Sequence, residues 1–597
     1  MARYAGRTMH ILGVNSAYHE SSACLLRDGQ ILAMAEEERF SRIRYGKHSR
    51  VDNPDELPEQ AMAWCLREGG IDWKDLAAIG YSLDPEQRRR QNVNLPDAKR
   101  MKPGDWGTPD GEETYYRHSL AARDVLVSRA PRAAFHFLPH HLCHAASAFF
   151  PSPFAEAAVL VLDGIGEFNS TWLGFGCGDK LTELETVGYP HSLGFVWERM
   201  SEFLGFDVYS GPGKVMGYAC ITDPIGELTN ADFLARMRTI FHEENGGAFF
   251  VDNEAFRFRT DDFSGLEHYF GPRRMAVVDR YEDASVAAAL QVVTQDVIVH
   301  LANRLYARVN ADRREPVTDL CMAGGVALNC VANYEVAART LFKRIWVQPM
   351  ANDAGTALGA AALVHLQRGG AARPRMEHAF WGPGYGTETM QATLKARGLI
   401  FAKPDNVAAE VATRIERGEI IAWFQGRQEV GPRALGHRSI LTDPSRFDAR
   451  NRLNTRVKYR ESFRPFAPSV LPSGMAKFFE LPAEMLSTRY MLFALPLREH
   501  RMTQMIPAVI QENGSTGRAG ARAHEVQPEE DPLYAEMIAQ FEKKTSLPMV
   551  LNTSFNVGEP IVTTPDQALD TFLKSSMDAL ALGPFLVPHP GKPGGRK

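Results

Sequence analysis

His10-Ile-Leu-Gly-Val-Asn-Ser-Ala-Tyr-His-Glu-Ser-Ser-Ala-Cys-Leu-Leu-Arg-Asp-Gly-Gln-Ile-Leu-Ala-Met-Ala-Glu36 is the stretch on which the reading of the fold turns. It runs as a short apolar strand, a polar loop, a second strand, the turn pair Asp28-Gly29 and a third strand, which is the pattern of an antiparallel meander. The same order returns from Ala157: a strand from Val159 to Leu162, the loop Asp163-Gly-Ile-Gly-Glu-Phe-Asn-Ser170, a strand from Thr171 to Gly176, the turn Gly178-Asp179 and a strand from Lys180 to Val187. A unit that occurs twice predicts an internal duplication, with the two polar loops facing one cleft.

Such duplicated units resemble those of the actin, sugar-kinase and Hsp70 superfamily, whose members hold a nucleotide between the halves. Fold alone does not give function, so the chemistry must come from particular residues. Between the repeats, Leu138-Pro-His-His-Leu-Cys-His-Ala-Ala-Ser-Ala-Phe-Phe150 carries His140 and His144 four positions apart. On a helix that spacing puts both imidazoles on one face, where they can grip one ion if further ligands come from elsewhere; the plain alternative is a histidine-rich turn. Asp163, at the end of an apolar strand and beside a glycine, is the first candidate for a third ligand. Asp353, in Asn352-Asp-Ala-Gly355 after the strand Arg344 to Gln348, is a fourth. A set of two histidines and two aspartates suits iron, manganese or zinc better than calcium or magnesium.

Other stretches suit a nucleotide. Gly211-Pro-Gly-Lys-Val-Met-Gly217 offers backbone amides and the Lys214 charge to phosphate, and Gly324-Gly325, opening Gly-Gly-Val-Ala-Leu-Asn329, lets the chain approach a ribose or phosphates at a helix N-terminus. Val286, Leu290, Val293, Val297, Leu301 and Leu305 mark a helix with a core-facing stripe. A helix is also expected from Pro54 to Glu68. Asp97 to Arg117 shows no apolar periodicity and is expected to be a surface insertion, a candidate to face an acceptor molecule.

With 597 residues, 44% hydrophobic and 23% charged, the chain is expected to form two or more globular domains. A net charge of −5 leaves no general basic footprint, so no nucleic-acid partner is expected. Seven scattered cysteines with no Cys-x-x-Cys argue against a disulfide framework or zinc ribbon and for reduced thiols in the cytoplasm. No run reaches 18 apolar residues and Met1 to Thr8 lacks a signal peptide's apolar core, so neither membrane insertion nor export by that route is expected. Gln367 to Pro374 reads as a linker, dividing the chain into residues 1–370 and 371–597.

Beyond the linker, Arg427, Arg433 and Arg438 lie in Gln425-Gly-Arg-Gln-Glu-Val-Gly-Pro-Arg-Ala-Leu-Gly-His-Arg-Ser439, and Lys458, Arg460 and Arg464 in Lys458-Tyr-Arg-Glu-Ser-Phe-Arg-Pro-Phe466. So many cations near glycine turns suggest an anionic small ligand, against the alternative of a solvated basic surface. Asn552, Ser554 and Asn556 follow a buried strand and can point neutral hydrogen-bonding groups into a pocket. The tail from Pro588 to Lys597 is expected to be disordered.

Taken together, His-His-x-x-His-Ala-x-Ser-Ala at 140–148, Gly-Lys-Val-Met-Gly at 213–217, Gly-Gly-Val-Ala-Leu-Asn at 324–329 and Asn-Asp-Ala-Gly at 352–355 resemble the O-carbamoyltransferases of the nodulation and antibiotic-tailoring group. That group includes the tobramycin and cephem carbamoyltransferases. The resemblance implies an α/β fold: a tRNA threonylcarbamoyl-transferase-like first domain with metal and ATP, and a YrdC-like α/β second domain that binds carbamoyl phosphate. By motif position it implies His140, His144, Asp163 and Asp353 as metal ligands, iron first and manganese or zinc as alternatives, with magnesium accompanying ATP. It places Lys214, Gly217, Gly324, Gly325 and Asn329 at the nucleotide. Lys458, Arg464, Arg522 and Ser554 fall at carbamoyl phosphate, with Arg433, Asn552 and Asn556 beside them, and Arg464 and Ser554 in catalysis. His19, in the first loop, is implied as general base or as hydrogen-bond partner of the carbamoyl oxygen. The acceptor would be a hydroxylated small molecule, and a homodimer is left open. Glu20 departs from the aspartate common among relatives, and Ala519-Gly520 replaces an Asp-Gly before the Arg522 motif. Two other classes are alternatives. A tRNA-modifying or hydrogenase-maturation enzyme should carry basic RNA contacts or zinc-type cysteine pairs, and an ATP-dependent chaperone leaves the second-domain clusters without a purpose.

Overall fold

The computed structural model describes residues 8–92, 95, 97–221, 231–277, 281–512 and 518–591. The chain divides into two compact units, residues 1–376 with 483–486, and residues 377–482 with 487–597.

The first unit holds the duplication. Strands β1 (His10–Asn15), β2 (Ser22–Arg27), β3 (Gln30–Glu36), β4 (Leu76–Tyr81) and β5 (Ala134–Phe137) form a sheet in the order β3-β2-β1-β4-β5. The meander β1-β2-β3 is antiparallel, and β4 and β5 add in parallel beside β1. Asp28 and Gly29 both have positive φ, the backbone that lets a two-residue turn match the twist of its strands. In the second half, β6 (Glu156–Leu162), β7 (Asn169–Cys177) and β8 (Lys180–Gly188) repeat the meander. After a small hairpin of β9 (Phe241–Glu243) and β10 (Phe249–Val251), β11 (Asp319–Ala323) and β12 (Arg344–Val347) extend the sheet in parallel, giving β8-β7-β6-β11-β12. Each half is thus an antiparallel meander extended by two parallel strands, the internal α/β duplication expected from the sequence.

A helix follows the last strand of each half, and each packs on the other half's sheet. Helix His140–Phe149, entered from β5, lies on β6, β7 and β11, while Thr356–Gln367, entered from β12, lies on β1, β2 and β4. The two helices also pack on one another. A Cβ at Gly359 would stand 1.8 Å from the Cys143 carbonyl oxygen, and one at Gly13 would stand 1.8 Å from that of Ala357, so only glycine permits the approach. This exchange brings the N-terminal ends of both helices to one place.

Helix Tyr281–Asn310 carries the predicted stripe, with Val286, Leu290, Val293, Val297, Leu301 and Leu305 fully buried. Its span from Glu282 is long and apolar enough to cross a membrane, yet 83% of the apolar window is buried inside the unit, as in a core helix. The helix expected from Pro54 begins at Glu59. None of the seven cysteines forms a disulfide.

The expected surface insertion is a correction. Pro109–Arg129 is a helix of 21 residues, capped by the Thr108 side chain, with proline at its start and Asp110 and Glu112 in its first turn. Its buried positions Glu112, Tyr115, Ser119, Ala122 and Leu126 keep a helical spacing. Two of those five are polar, so a search for apolar periodicity passes over a face that is nonetheless in the core. Of the tail expected to be disordered, Pro588 closes a strand, and residues 592–597, like 1–7, lie outside the described residues.

The second unit is built on a mixed sheet: β13 (Ile421–Phe424), β14 (Arg438–Thr442), β15 (Ala467–Val470), β20 (His524–Glu525), β21 (Met549–Ser554), β22 (Ala579–Leu582) and β23 (Phe585–Pro588), in the order β20-β15-β21-β14-β13-β22-β23. Beside it, β17 (Leu495–Pro496), β18 (Gln511–Glu512) and β19 (Ala519–Ala521) make a small sheet. The remaining strand, β16 (Glu484–Met485), belongs to the first unit and pairs with β12.

Candidate functional site

Where the two crossed helices begin, four side chains converge. His140 and His144 come from one helix, Asp163 follows β6, and Asp353 precedes the other helix; one ligand atom from each lies within 4.8 Å of all the rest. His140 Nε2 is 3.4 Å from Asp163 Oδ2 and 3.5 Å from Asp353 Oδ1, and His144 Nε2 is 3.6 and 3.5 Å from the same oxygens. Two ligands bonded at about 2.1 Å to one tetrahedral ion stand about 3.4 Å apart. The separations match that edge and are too long for hydrogen bonds. Both histidines are fully buried and neither Nε2 has a hydrogen-bond partner. His140 Nδ1–H donates to the Ser82 carbonyl at 3.0 Å, which leaves the Nε2 lone pair facing the carboxylates. Burial alone would lower both imidazoles, but Asp353 and Asp163 raise His140, and the same pair raises His144. The site thus calls for positive charge, supplied by protons or by a metal ion, and the donor set fits the ion.

The surrounding groups are ordered. Asp163 Oδ1 accepts from the Gly325 amide at 3.0 Å, and the Asp353 amide donates to Glu20 Oε2 at 3.2 Å. The Asn15 side chain donates to the carbonyls of His19 and Glu20, both at 3.1 Å, and fixes the loop in which Glu20 has a φ of 55°. His19 Nδ1 lies 3.6 Å from Glu20 and 4.0 Å from Asp353, and its side chain keeps 29% exposure. Burial would lower this imidazole; Asp353 and then Glu20 overcome that and hold it at about 10. Glu198 also faces this group, a residue the sequence reading missed. Burial raises its carboxyl, His19 opposes and Asp163 adds to the rise, leaving it at about 7. The one signal for it was Ser192-Leu-Gly194: Ser192 Oγ donates to the Gly164 carbonyl at 2.6 Å, and the Gly194 amide to that of Asp163 at 3.2 Å, which seats helix Leu193–Phe203 on the Asp163 loop.

Of the residues expected at a nucleotide, Gly324 and Gly325 lie beside this centre. Gly324 has a φ of 90°, and a Cβ there would meet the Leu162 carbonyl oxygen at 2.1 Å. Asn329 is used elsewhere: it caps helix Cys330–Arg339 by accepting from Ala332 N at 3.1 Å and exchanges two hydrogen bonds with Gln291. Lys214, half-buried, and Gly217, buried, lie on the short helix Gly211–Tyr218.

In the second unit Lys458 is a hub. Its ammonium donates to Asn556 Oδ1 at 2.8 Å, Asn556 O at 2.9 Å, Ser554 Oγ at 3.3 Å and the Ser554 carbonyl, while Ser554 Oγ donates to Asn556 Oδ1 at 2.8 Å. Lys458 closes a π-helical turn, Asn454–Lys458, of the kind often found at functional sites. Arg460 is lowered to about 9 by burial and then by the charges of Arg464 and Arg522, while its own guanidinium donates to Asn454 Oδ1 at 2.8 Å and the Pro465 carbonyl at 3.3 Å. Glu461 pairs with Arg464 at 3.8 Å. Asn552 stands apart, donating to Ala434 O at 3.0 Å and Ser469 Oγ at 2.9 Å. Arg427 and Arg438, like Arg460, bond to backbone carbonyls: Arg427 donates to Gly382 and Trp381 carbonyls, and Arg438, fully buried over the Phe424 ring, donates to Gln425, His437 and Pro383 carbonyls. Arg433, half-buried, lies on the loop between β13 and β14.

His524, behind Asn552 through Ser469, supports a pH prediction. It is held at about 3 chiefly by burial, which Asp531 opposes and His437 reinforces. Its folded value lies below its unfolded value of about 6.5, so its contribution is intact above that pH and is lost as pH falls toward 3, by up to about 5 kcal/mol. Thermal melts are expected to show the second unit losing stability from pH 6.5 to pH 4, and His524→Gln to flatten part of that slope. An unchanged slope in the variant would contradict the assignment.

The duplicated sheets carry a buried histidine and aspartate quartet in the first unit, and family comparison makes the chain a carbamoyltransferase. Residues 10–362 match the Carbamoyltransferase N-terminus family and residues 412–589 the Carbamoyltransferase C-terminus family, and the chain belongs to that family. It is similar to Nodulation protein NolNO of Sinorhizobium fredii, at 34% identity over 96% of this chain and 79% of that one. Nodulation protein NolO of Bradyrhizobium diazoefficiens is 36% identical over 75% of this chain and 78% of its own. An uncharacterized protein of Synechocystis is 35% identical over 98% of this chain and 97% of its own.

Proposed function

We propose that the chain is an ATP-dependent O-carbamoyltransferase that makes carbamoyl adenylate from carbamoyl phosphate and ATP and passes the carbamoyl group to a hydroxyl of a small natural product. The observation that carries this reading is the convergence of His140, His144, Asp163 and Asp353, with His19 4.0 Å from Asp353, in a chain of this family.

Residues 371–597 are the proposed carbamoyl phosphate domain, YrdC-like in this reading. The Lys458 ammonium, fixed by Ser554 and Asn556, and the charges of Arg460, Arg464 and Arg522 would stabilise departing phosphate. Water would attack the phosphorus of carbamoyl phosphate, its oxygen leaving in orthophosphate as the P–O bond to the bridge breaks and the bridging oxygen stays with carbamate. The carbamate oxygen would then attack the α-phosphorus of ATP, giving carbamoyl adenylate and pyrophosphate. Carbamate decomposes in water, so this chemistry needs a closed site.

Residues 1–370 are the proposed transfer domain. His140, His144, Asp163 and Asp353 would hold a divalent transition metal, iron first and manganese or zinc as alternatives, while magnesium accompanies ATP. When bound, the ion supplies a fixed positive charge for phosphate oxygens. Gly324 and Gly325 would allow close approach of the nucleotide, with Lys214 and Gly217 near its phosphates. Asn329 would act through the helix it caps. His19 would handle the acceptor hydroxyl proton or hold the carbamoyl oxygen. The positive charge it carries beside Asp353 favours the second role, whereas a divalent ion on Asp353 would remove much of the cause of that charge and restore the first.

The experiment offers purified protein ATP, carbamoyl phosphate and a panel of hydroxylated natural products, read by mass spectrometry. The expected result is a carbamoyl adduct on at least one acceptor, formed only with both ATP and carbamoyl phosphate. Adducts formed without ATP would contradict the proposal.

A further inference from the structure

Arg88 and Glu112 are buried, 1% and 0% exposed, and lie in segments that neither repeat of the first unit supplies. Arg88 Nε donates to Glu112 Oε2 at 2.9 Å and Nη2 to Oε1 at 2.8 Å, a two-point pairing, while Glu112 Oε1 also accepts from the Gly107 amide at 2.8 Å. The remaining Nη1 donates to the Tyr18 hydroxyl at 2.8 Å and to the Gly166 carbonyl at 2.9 Å, and the Tyr18 hydroxyl donates to the same carbonyl at 2.5 Å. Tyr18 presents its ring edge-on to His140, with centroids 5.5 Å apart, and Gly166 lies three residues beyond Asp163. Tyr115, on the same helix as Glu112, stacks on Tyr18 and donates to the Ala17 carbonyl at 3.0 Å, just ahead of His19. At the start of helix Pro85–Asn92, which carries Arg88, the Asp84 amide donates to Glu167 Oε1 at 2.9 Å, and that oxygen also accepts the His140 amide at 2.9 Å.

From this geometry we propose that Arg88 is a positioning residue for the metal centre: fixed by Glu112, it holds Tyr18 against His140 and, through the Gly166 carbonyl, holds the loop that carries Asp163, and so orients two of the four ligands. The inference rests on reading the quartet as a metal site. A purely stabilising role explains it less well, because a buried ion pair usually adds little stability over apolar residues of similar volume. What apolar residues cannot supply is a planar fork that bridges three segments, and each donor not used by Glu112 goes to a segment touching or carrying a ligand. Groups that orient ligands from outside typically change metal affinity by about 10–100-fold.

The test measures Zn2+ affinity of the full-length protein by chelator competition, with Mn2+ spin-resonance line shape as a second readout. Arg88→Ala would strand Glu112, so the variants are Tyr18→Phe, which removes only the hydroxyl, and the double variant Arg88→Met with Glu112→Met, which removes both charges. Both are expected to stay folded in metal-free melts, to bind Zn2+ about 10–100-fold more weakly and to broaden the Mn2+ signal. Arg88→Lys should keep the charge pairing yet still weaken binding, since an ammonium cannot reach Glu112, Tyr18 and Gly166 together. Wild-type affinity and line shape in the folded variants would overturn the proposal and leave Arg88 a stabilising residue. Absence of binding in the wild type would instead overturn the metal reading, and this inference with it.

Discussion

His140→Ala and Asp353→Ala are each expected to abolish tight binding of transition metal and, with it, carbamoyl transfer, while the protein still unfolds cooperatively. Removing either leaves three ligand atoms where four lie within 4.8 Å, and none of the three can close the gap, because each is fixed from its own element. His144 is held on its helix, Asp163 by the Gly325 amide and Asp353 by the end of its loop. Groups outside the ligand set change affinity by about 10–100-fold, so loss of a ligand should exceed that. The fold should survive because the quartet sits at strand ends and helix starts, while the sheets keep their own apolar cores. Some stability will be lost in His140→Ala, since Asp163 and Asp353 then face each other with less opposing charge. Metal content after dialysis, thermal melts and transfer rate check this. Full metal content in the variants, or wild-type transfer after chelation, would remove the quartet from the mechanism.

The two half-reactions are expected to fail separately. Arg464→Ala should lose pyrophosphate release by about a hundredfold or more, the few kcal/mol of transition-state stabilisation that a phosphate-contacting group supplies. Given synthetic carbamoyl adenylate, the same variant should still carbamoylate the acceptor, because its defect lies in the Lys458, Arg460 and Arg464 turn and not at the metal quartet. His19→Ala should do the reverse, forming adenylate and transferring slowly. Rapid-quench assays with each donor distinguish the cases. If Arg464→Ala fails equally with supplied adenylate, either the residue assignment or the two-stage scheme must be given up.

The duplication could be read from sequence because its signal is local: alternating apolar strands and the Asp28-Gly29 turn state their structure within a few residues. The quartet was legible for a related reason. Asp163 and Asp353 close or follow strands, and His140 and His144 share a helix face, so the topology that pairs the repeats also brings these positions together. Arg88 and Glu112 gave no such signal, being 24 positions apart in polar segments with only tertiary structure to pair them. Composition also cannot tell an arginine facing backbone carbonyls from one facing an anion, which is why Arg427 and Arg438 were grouped with Arg464. Asn329 shows the same limit, since a residue at a strand-to-helix turn can serve a ligand or the helix it begins, and here its side chain caps the helix. Glu198 was hidden as one charge within an ordinary amphipathic helix.

Activation of the donor as an adenylate is the step on which the proposed carbamoyl transfer depends. The most direct measurement supplies purified wild-type protein with ATP labelled at the α-phosphate and with carbamoyl phosphate, without any acceptor, and follows the labelled product and pyrophosphate. Pyrophosphate release that requires both substrates is expected, together with a labelled carbamoyl adenylate that is consumed when an acceptor is added. Release of orthophosphate and ADP from ATP, with no pyrophosphate and no labelled adenylate, would contradict it.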